Sequence, residues 1–141
     1  MKLNHINLPV GDVGATKDFF AQYFGMKVEF ELPKNVMAML RDDAGLLLIV
    51  SHFRKGEAGD VPYHPDFHVG FLVDSNDEVD ATRARLVAGG LDVEAPKRRQ
   101  GGRYGFYYPA PGGFVLEVEC LNAGPRPQPA PAPAGELASG G

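Results

Sequence analysis

The chain has 141 residues, 44% of them apolar, a formal net charge of −4 and one cysteine, enough apolar material for one ordinary domain with a real core. An acidic balance argues against a general nucleic-acid binder, whose footprint is a basic face, and no apolar run is long enough to span a bilayer. Met1 to Val10 lacks the apolar core of a secretory signal, and Cys120 has no partner for an intrachain disulfide, so a reducing cytoplasm is the expected setting.

Lys2 to Val10 reads as a strand with Ile6, Leu8 and Val10 on one face and Leu3, His5 and Asn7 on the other. A helix is predicted over Val13 to Phe24, with Phe19, Phe20, Tyr23 and Phe24 as its apolar stripe and Gly25 at the left-handed C-terminal position. Val28 to Leu32, Val36 to Arg41 and Leu46 to Ser51 read as three strands joined by short antiparallel turns. Phe53 to Pro65 carries Gly56, Gly59, Pro62 and Pro65 and is taken as a connection.

The pattern then starts again. Asp66 to Val73 places His68 where the first strand places His5, with Phe67, Val69, Phe71 and Val73 on the opposite face from His68 and Gly70. Ser75 and Glu78 predict a reciprocally capped helix start, with Val79, Leu86 and Val87 on the buried side. Strands are predicted near Leu91 to Glu94, Tyr104 to Tyr108 and Phe114 to Cys120. The order is β-α-β-β-β twice: module one over 1–53, a linker over 54–65, module two over 66–121. A Pro/Ala/Gly-rich tail, expected to be extended and mobile, covers 122–141.

In the last strand Phe114, Leu116, Val118 and Cys120 face a core, so Glu117 shares the other face with Val115 and Glu119. His5, His68 and Glu117 are thereby two imidazoles and a carboxylate on faces their helices leave uncovered. Such a set holds a divalent first-row metal and leaves coordination positions open for substrate. Taken singly, a strand histidine is more often a hydrogen-bonded structural residue than a ligand; jointly the three point to a metal site. Lys97, Arg98, Arg99 and Arg103 surround Gly101-Gly102, and this cationic loop either clamps an anionic substrate or is a solvated turn. Asn7, Lys97 and Arg103 are the candidate substrate contacts. Gly11 and Gly14 lack the spacing of a nucleotide loop.

The stretches Leu3-Asn4-His5-Ile6-Asn7-Leu8-Pro9-Val10, Phe24-Gly25-Met26, Phe67-His68-Val69-Gly70-Phe71, Tyr107-Tyr108 and Pro111-Gly112-Gly113-Phe114-Val115-Leu116-Glu117 resemble the vicinal oxygen chelate superfamily. It includes glyoxalases, extradiol dioxygenases, fosfomycin-resistance enzymes and bleomycin-binding proteins. The resemblance covers about residues 1 to 121. It implies an α+β fold in which two tandem β-α-β-β-β modules form a curved mixed sheet around a cleft. It also implies His5, His68 and Glu117 as ligands to Fe2+, Mn2+, Zn2+ or Ni2+, a small-molecule substrate bound through adjacent oxygens, and a homodimer with sites shared between chains. Tyr107 is the candidate hydrogen-bond or proton-transfer group. The position equivalent to Glu117 in module one falls near Ile49, where glyoxalase I has a fourth ligand, so the resemblance leans toward three-ligand branches. Lys97, Tyr107 and Arg126 fall near phosphonate-gripping positions of the fosfomycin thiol transferases, but Gly101 stands where a hydroxyl is expected. The alternative is a metal-free drug-binding protein. His52 and His64 are only loosely placed to support the metal site from behind its ligands and read as loop residues without a partner.

Overall fold

In the computed structural model, residues 1–53 and 62–121 are described. Most of the expected linker, the tail and Arg126 lie outside them.

Asp12 starts helix α1 (Val13–Phe24) by accepting a hydrogen bond from the Ala15 amide at 2.9 Å, and Gly25 ends it at φ 64°, a conformation in which a Cβ is penalised. The predicted bounds of this helix hold. Its buried positions Val13, Thr16, Phe19 and Phe20 follow the helical period. They pack on strands β2 (Lys27–Leu32), β3 (Met37–Arg41) and β4 (Leu47–Ser51) of the first sheet. Strand β1 (His5–Pro9) runs parallel to β4, giving the order β1-β4-β3-β2.

The second module repeats this plan with β5 (His68–Leu72), helix α2 (Asn76–Ala88), β6 (Lys97–Arg99), β7 (Arg103–Pro109) and β8 (Val115–Cys120), in the order β5-β8-β7-β6. Each module thus hydrogen-bonds into its own mixed four-stranded sheet. The helical sides meet in one core: the Phe20 ring stacks on Phe114 at 6.0 Å, and Phe24 stacks on Phe71 at 4.5 Å. Phe20, Phe114, Leu116 and Val118 are buried, each worth about 1.5–3 kcal/mol in area removed from water. No helix among the described residues is long and apolar enough to cross a membrane.

Three local expectations change. The strand predicted near Leu91 to Glu94 is irregular chain, and β6 begins at Lys97. The cause is Arg83, whose guanidinium donates to the carbonyls of Val93 and Glu94 at 2.8–3.0 Å and so occupies the acceptors a ladder needs. Val87 is 42% exposed, and Thr82 instead completes the buried row with Val79 and Leu86, the 79-82-86 spacing matching one helix face. Ser75 caps the Glu78 amide as expected, but Glu78 answers to the amide of Asp74 rather than that of Ser75.

Among the described residues, strands β1 and β5 each have a hydrogen-bonded neighbour on one side only. Exposed apolar residues lie on and beside them: Ile6, Leu72 and, just before β1, Leu3. An unpaired edge of this kind is a template for further pairing.

Candidate functional site

Directly paired residues share a face of a sheet, so the register reads out the side turned away from the helices. On the second sheet that face carries His68 opposite Val115, Gly70 opposite Glu117, and Glu117 opposite Tyr107. On the first it carries His5 opposite Leu47, Asn7 opposite Ile49, and Ile49 opposite Met39. The two registers superimpose: His5 matches His68, Ile49 matches Glu117 and Met39 matches Tyr107. The expectation that an isoleucine stands at the first module's carboxylate position is met by strand pairing.

His68 and Glu117 are brought together. The His68 Nδ1 lies 3.0 Å from the Asp66 carbonyl oxygen. A carbonyl only accepts, so Nδ1 donates, and the neutral ring keeps its lone pair at Nε2. That lone pair faces Glu117 Oε2 at 3.4 Å. With the ring neutral, two acceptors would face one another; a proton on Nε2 or a shared metal cation satisfies the pair. Metal bonds of about 2.0–2.2 Å at tetrahedral angles separate adjacent donors by about 3.3–3.6 Å, so the pair fits a shared divalent ion. Fixing a histidine through its other nitrogen is also how ligating imidazoles are oriented.

His5 sits on the first sheet, where its Nδ1 contacts Asn4 Oδ1 at 2.7 Å and Nε2 is again the uncommitted nitrogen. Among the described residues no group of three or more His, Cys, Asp or Glu side chains gathers within one chain. One chain therefore assembles two of the three expected ligands.

The Glu117 side chain is only 3% exposed, and its other oxygen, Oε1, accepts from Arg99 Nη1 at 2.9 Å. Arg99 in turn lies 4.0 Å over the Tyr107 ring. The Tyr107 phenol is pushed above its ordinary pKa, first by its hydrogen bond to Glu117 and then by burial, so it holds its proton at neutral pH. Open grooves flank Tyr107: one of about 510 Å³ lined by Pro65, Asp66, His68, Tyr107 and Val115, another of about 390 Å³ reaching Asp92 and Glu94.

Each of the expected substrate contacts has a partner within the chain. Asn7 Oδ1 accepts from the Ser51 hydroxyl at 2.7 Å, and Lys97 pairs with Glu94 at 3.0 Å. Arg103 forks onto both oxygens of Glu119 at 2.6 and 2.7 Å. His52 and His64 do have partners, contrary to expectation: His52 Nδ1 lies 2.9 Å from the Val10 carbonyl, and His64 Nδ1 accepts from the Asp66 amide. The role of Arg99 at Glu117 was not singled out from the basic loop. The signal was there, because Arg99 and Arg103 face each other across the Gly101-Gly102 turn and strand alternation puts Arg103 on the side of Tyr107.

The Arg103 fork holds the Glu119 carboxyl below its usual range. A depressed folded-state pKa contributes stability that is fully present above about pH 4.3 and is lost as pH falls through the folded value. The melting temperatures of the wild type and Glu119→Gln should therefore differ at pH 7 and converge below about pH 4. A gap that stays constant from pH 7 to pH 3 would remove this pair from the acid response.

A sequence model of the Glyoxalase/Bleomycin resistance protein/Dioxygenase superfamily matches residues 2–118, and the chain belongs to that family, the vicinal oxygen chelate superfamily. A solved structure of a possible glyoxalase from Bacillus cereus is 38% identical, covering 85% of this chain and 99% of that one with a TM-score of 0.74. The fold is also shared with lactoylglutathione lyase from Agrobacterium tumefaciens (22% identity, 84% and 92% covered, TM-score 0.68). A fosfomycin resistance protein from Listeria monocytogenes shares it as well (24%, 85% and 93%, 0.67). No curated protein matches.

Proposed function

We propose that this protein is a divalent-metal-dependent enzyme acting on a small molecule with adjacent oxygens. Its ligands are His68 and Glu117 of one chain with His5 of a second copy in a homodimer. The observation that carries the reading is the approach of His68 Nε2 to Glu117 Oε2 at 3.4 Å, with Nδ1 held by the Asp66 carbonyl. The unpaired edges of β1 and β5 support the second copy, since His5 and His68 open those two strands.

A bound Fe2+, Mn2+, Zn2+ or Ni2+ would supply Lewis acidity to the substrate oxygens. The chain's own residues do the rest. Asp66 fixes the imidazole, and burial of Glu117 keeps water from competing for the carboxylate. Tyr107, 45% exposed at the groove, keeps its proton in the hydrogen bond to Glu117 and offers the lone pairs of its phenol oxygen to a substrate hydroxyl. Arg103 and Lys97 shape the charge of the rim through Glu119 and Glu94. Ile49 at the fourth-ligand position favours three-ligand chemistry, dioxygenase-like or lyase-like, over a four-ligand glyoxalase I. A reducing cytoplasm suits the fully buried thiol of Cys120.

Metal analysis of the purified protein tests this directly. The expected result is one divalent ion per chain, lost in His5→Ala and in Glu117→Gln. Absence of metal in the wild type, even after reconstitution, would favour a metal-free binding protein using the same grooves.

A further inference from the structure

Arg99 stands at the end of β6, directly opposite Arg103 across a turn in which Gly101 and Gly102 both adopt positive φ, near 79° and 78°. That backbone is open to glycine and strained for other residues, and it brings the two arginines back along one face. Their guanidinium groups are then used differently. Arg103 spends both arms of its fork on Glu119 and stays 4.0 Å from Glu117 Oε1. Arg99 donates from Nη1 to Glu117 Oε1, with its guanidinium over the Tyr107 ring at 4.0 Å.

Stacking on an aromatic face and pairing with a carboxylate are both what a planar, delocalised cation does well. Together they leave the Arg99 side chain 28% exposed and pinned from two sides. Tyr107, the residue it stacks on, is directly opposite Glu117 in the ladder, so ring, guanidinium and carboxylate are set by one strand pairing. The Glu117 carboxylate is thereby divided: Oε1 accepts from Arg99 and Oε2 lies toward His68 Nε2, while the Tyr107 hydroxyl is also hydrogen-bonded to the carboxylate.

We propose that Arg99 is a positioning residue for the metal centre, dividing the Glu117 carboxylate so that it presents a single oxygen to the ion. The inference rests on Glu117 being a metal ligand. One consequence follows: Glu117 would bind through one oxygen, which leaves coordination positions open for substrate.

The test compares wild type, Arg99→Ala, Arg99→Lys and Glu117→Gln as full-length chains, using Co2+ as the probe. The readouts are stoichiometry, affinity by competition with a chromophoric chelator, and the visible Co2+ spectrum. Orienting partners of metal ligands typically contribute 10- to 100-fold in affinity. Arg99→Ala should therefore bind the same amount of Co2+ about 10- to 100-fold more weakly. Its visible band should be less intense, as the freed carboxylate closes onto the ion with both oxygens. Arg99→Lys, which keeps the charge but not the plane, should recover part of the affinity, and it carries the test if Arg99→Ala fails to fold.

Unchanged or tighter binding with an unchanged spectrum in both Arg99 variants would overturn the positioning role. Binding in Glu117→Gln equal to wild type, or no binding in the wild type, would instead overturn the ligand assignment beneath it. The first result is read on Arg99 alone and the second on Glu117, so the two failures are distinguishable.

Discussion

When His5→Ala and His68→Ala chains are unfolded, mixed in equal amounts and refolded together, about one quarter of the wild-type metal capacity should return, although neither variant alone holds metal. The figure follows from two-fold symmetry. In the proposed arrangement each site would draw His68 and Glu117 from one chain and His5 from the other, so every site of either pure variant would lack one imidazole. Random pairing makes about half of the dimers mixed. In a mixed dimer one site lacks both histidines and the other lacks neither, which leaves about one intact site in four. The measurement is metal per chain after removal of free ion, with each variant refolded alone as the baseline. Zero recovery in a mixture shown to contain mixed dimers would end the shared-site arrangement. Full metal retention by His5→Ala alone would show that His5 is not a ligand.

Gly105→Ala should be the most damaging small substitution in the second module. Gly105 is buried on β7 directly opposite Glu119, and an added Cβ would strike the Val118 carbonyl oxygen and come within 2.9 Å of the Glu119 Cα. Both are backbone atoms of β8, so the clash is relieved only by moving that strand. Overpacking against a core costs about 1–3 kcal/mol and more when the obstacle is main chain. A fall in melting temperature of roughly 5–15 °C is expected. Metal affinity should fall with it, because β8 carries Glu117. At Gly89, by contrast, the atoms in the way belong to the end of the Tyr23 side chain, which can swing aside, so Gly89→Ala should cost less. Equal melting temperatures for Gly105→Ala and wild type would show that the β7–β8 spacing is softer than this packing implies.

The repeat was the most legible property of the chain, because a β-α-β-β-β order written twice leaves period-2 and period-3.6 apolar patterns that need no tertiary information. Helix α1 was readable to its ends since Asp12 and Gly25 both have a local job. The misplaced strand near Leu91 was not readable in the same way. Leu91 and Val93 have strand-like side chains, but a guanidinium ten residues upstream claims the carbonyls, and that contact exists only in the folded chain. The same holds at the site. Alternation put His68 and Glu117 on uncovered faces, and strand pairing set them side by side. What alternation could not supply is how the arginines share the acids, since Arg99 and Arg103 both face Glu117 and Glu119 and only geometry assigns each its partner.

The superposable ladders carry Ile49 and Met39 in one half where the other carries Glu117 and Tyr107. A single exchange, Ile49→Glu, would place a second carboxylate at the matching position of the apolar half, so with the proposed ligand set a step from three to four protein ligands lies one residue away in this scaffold.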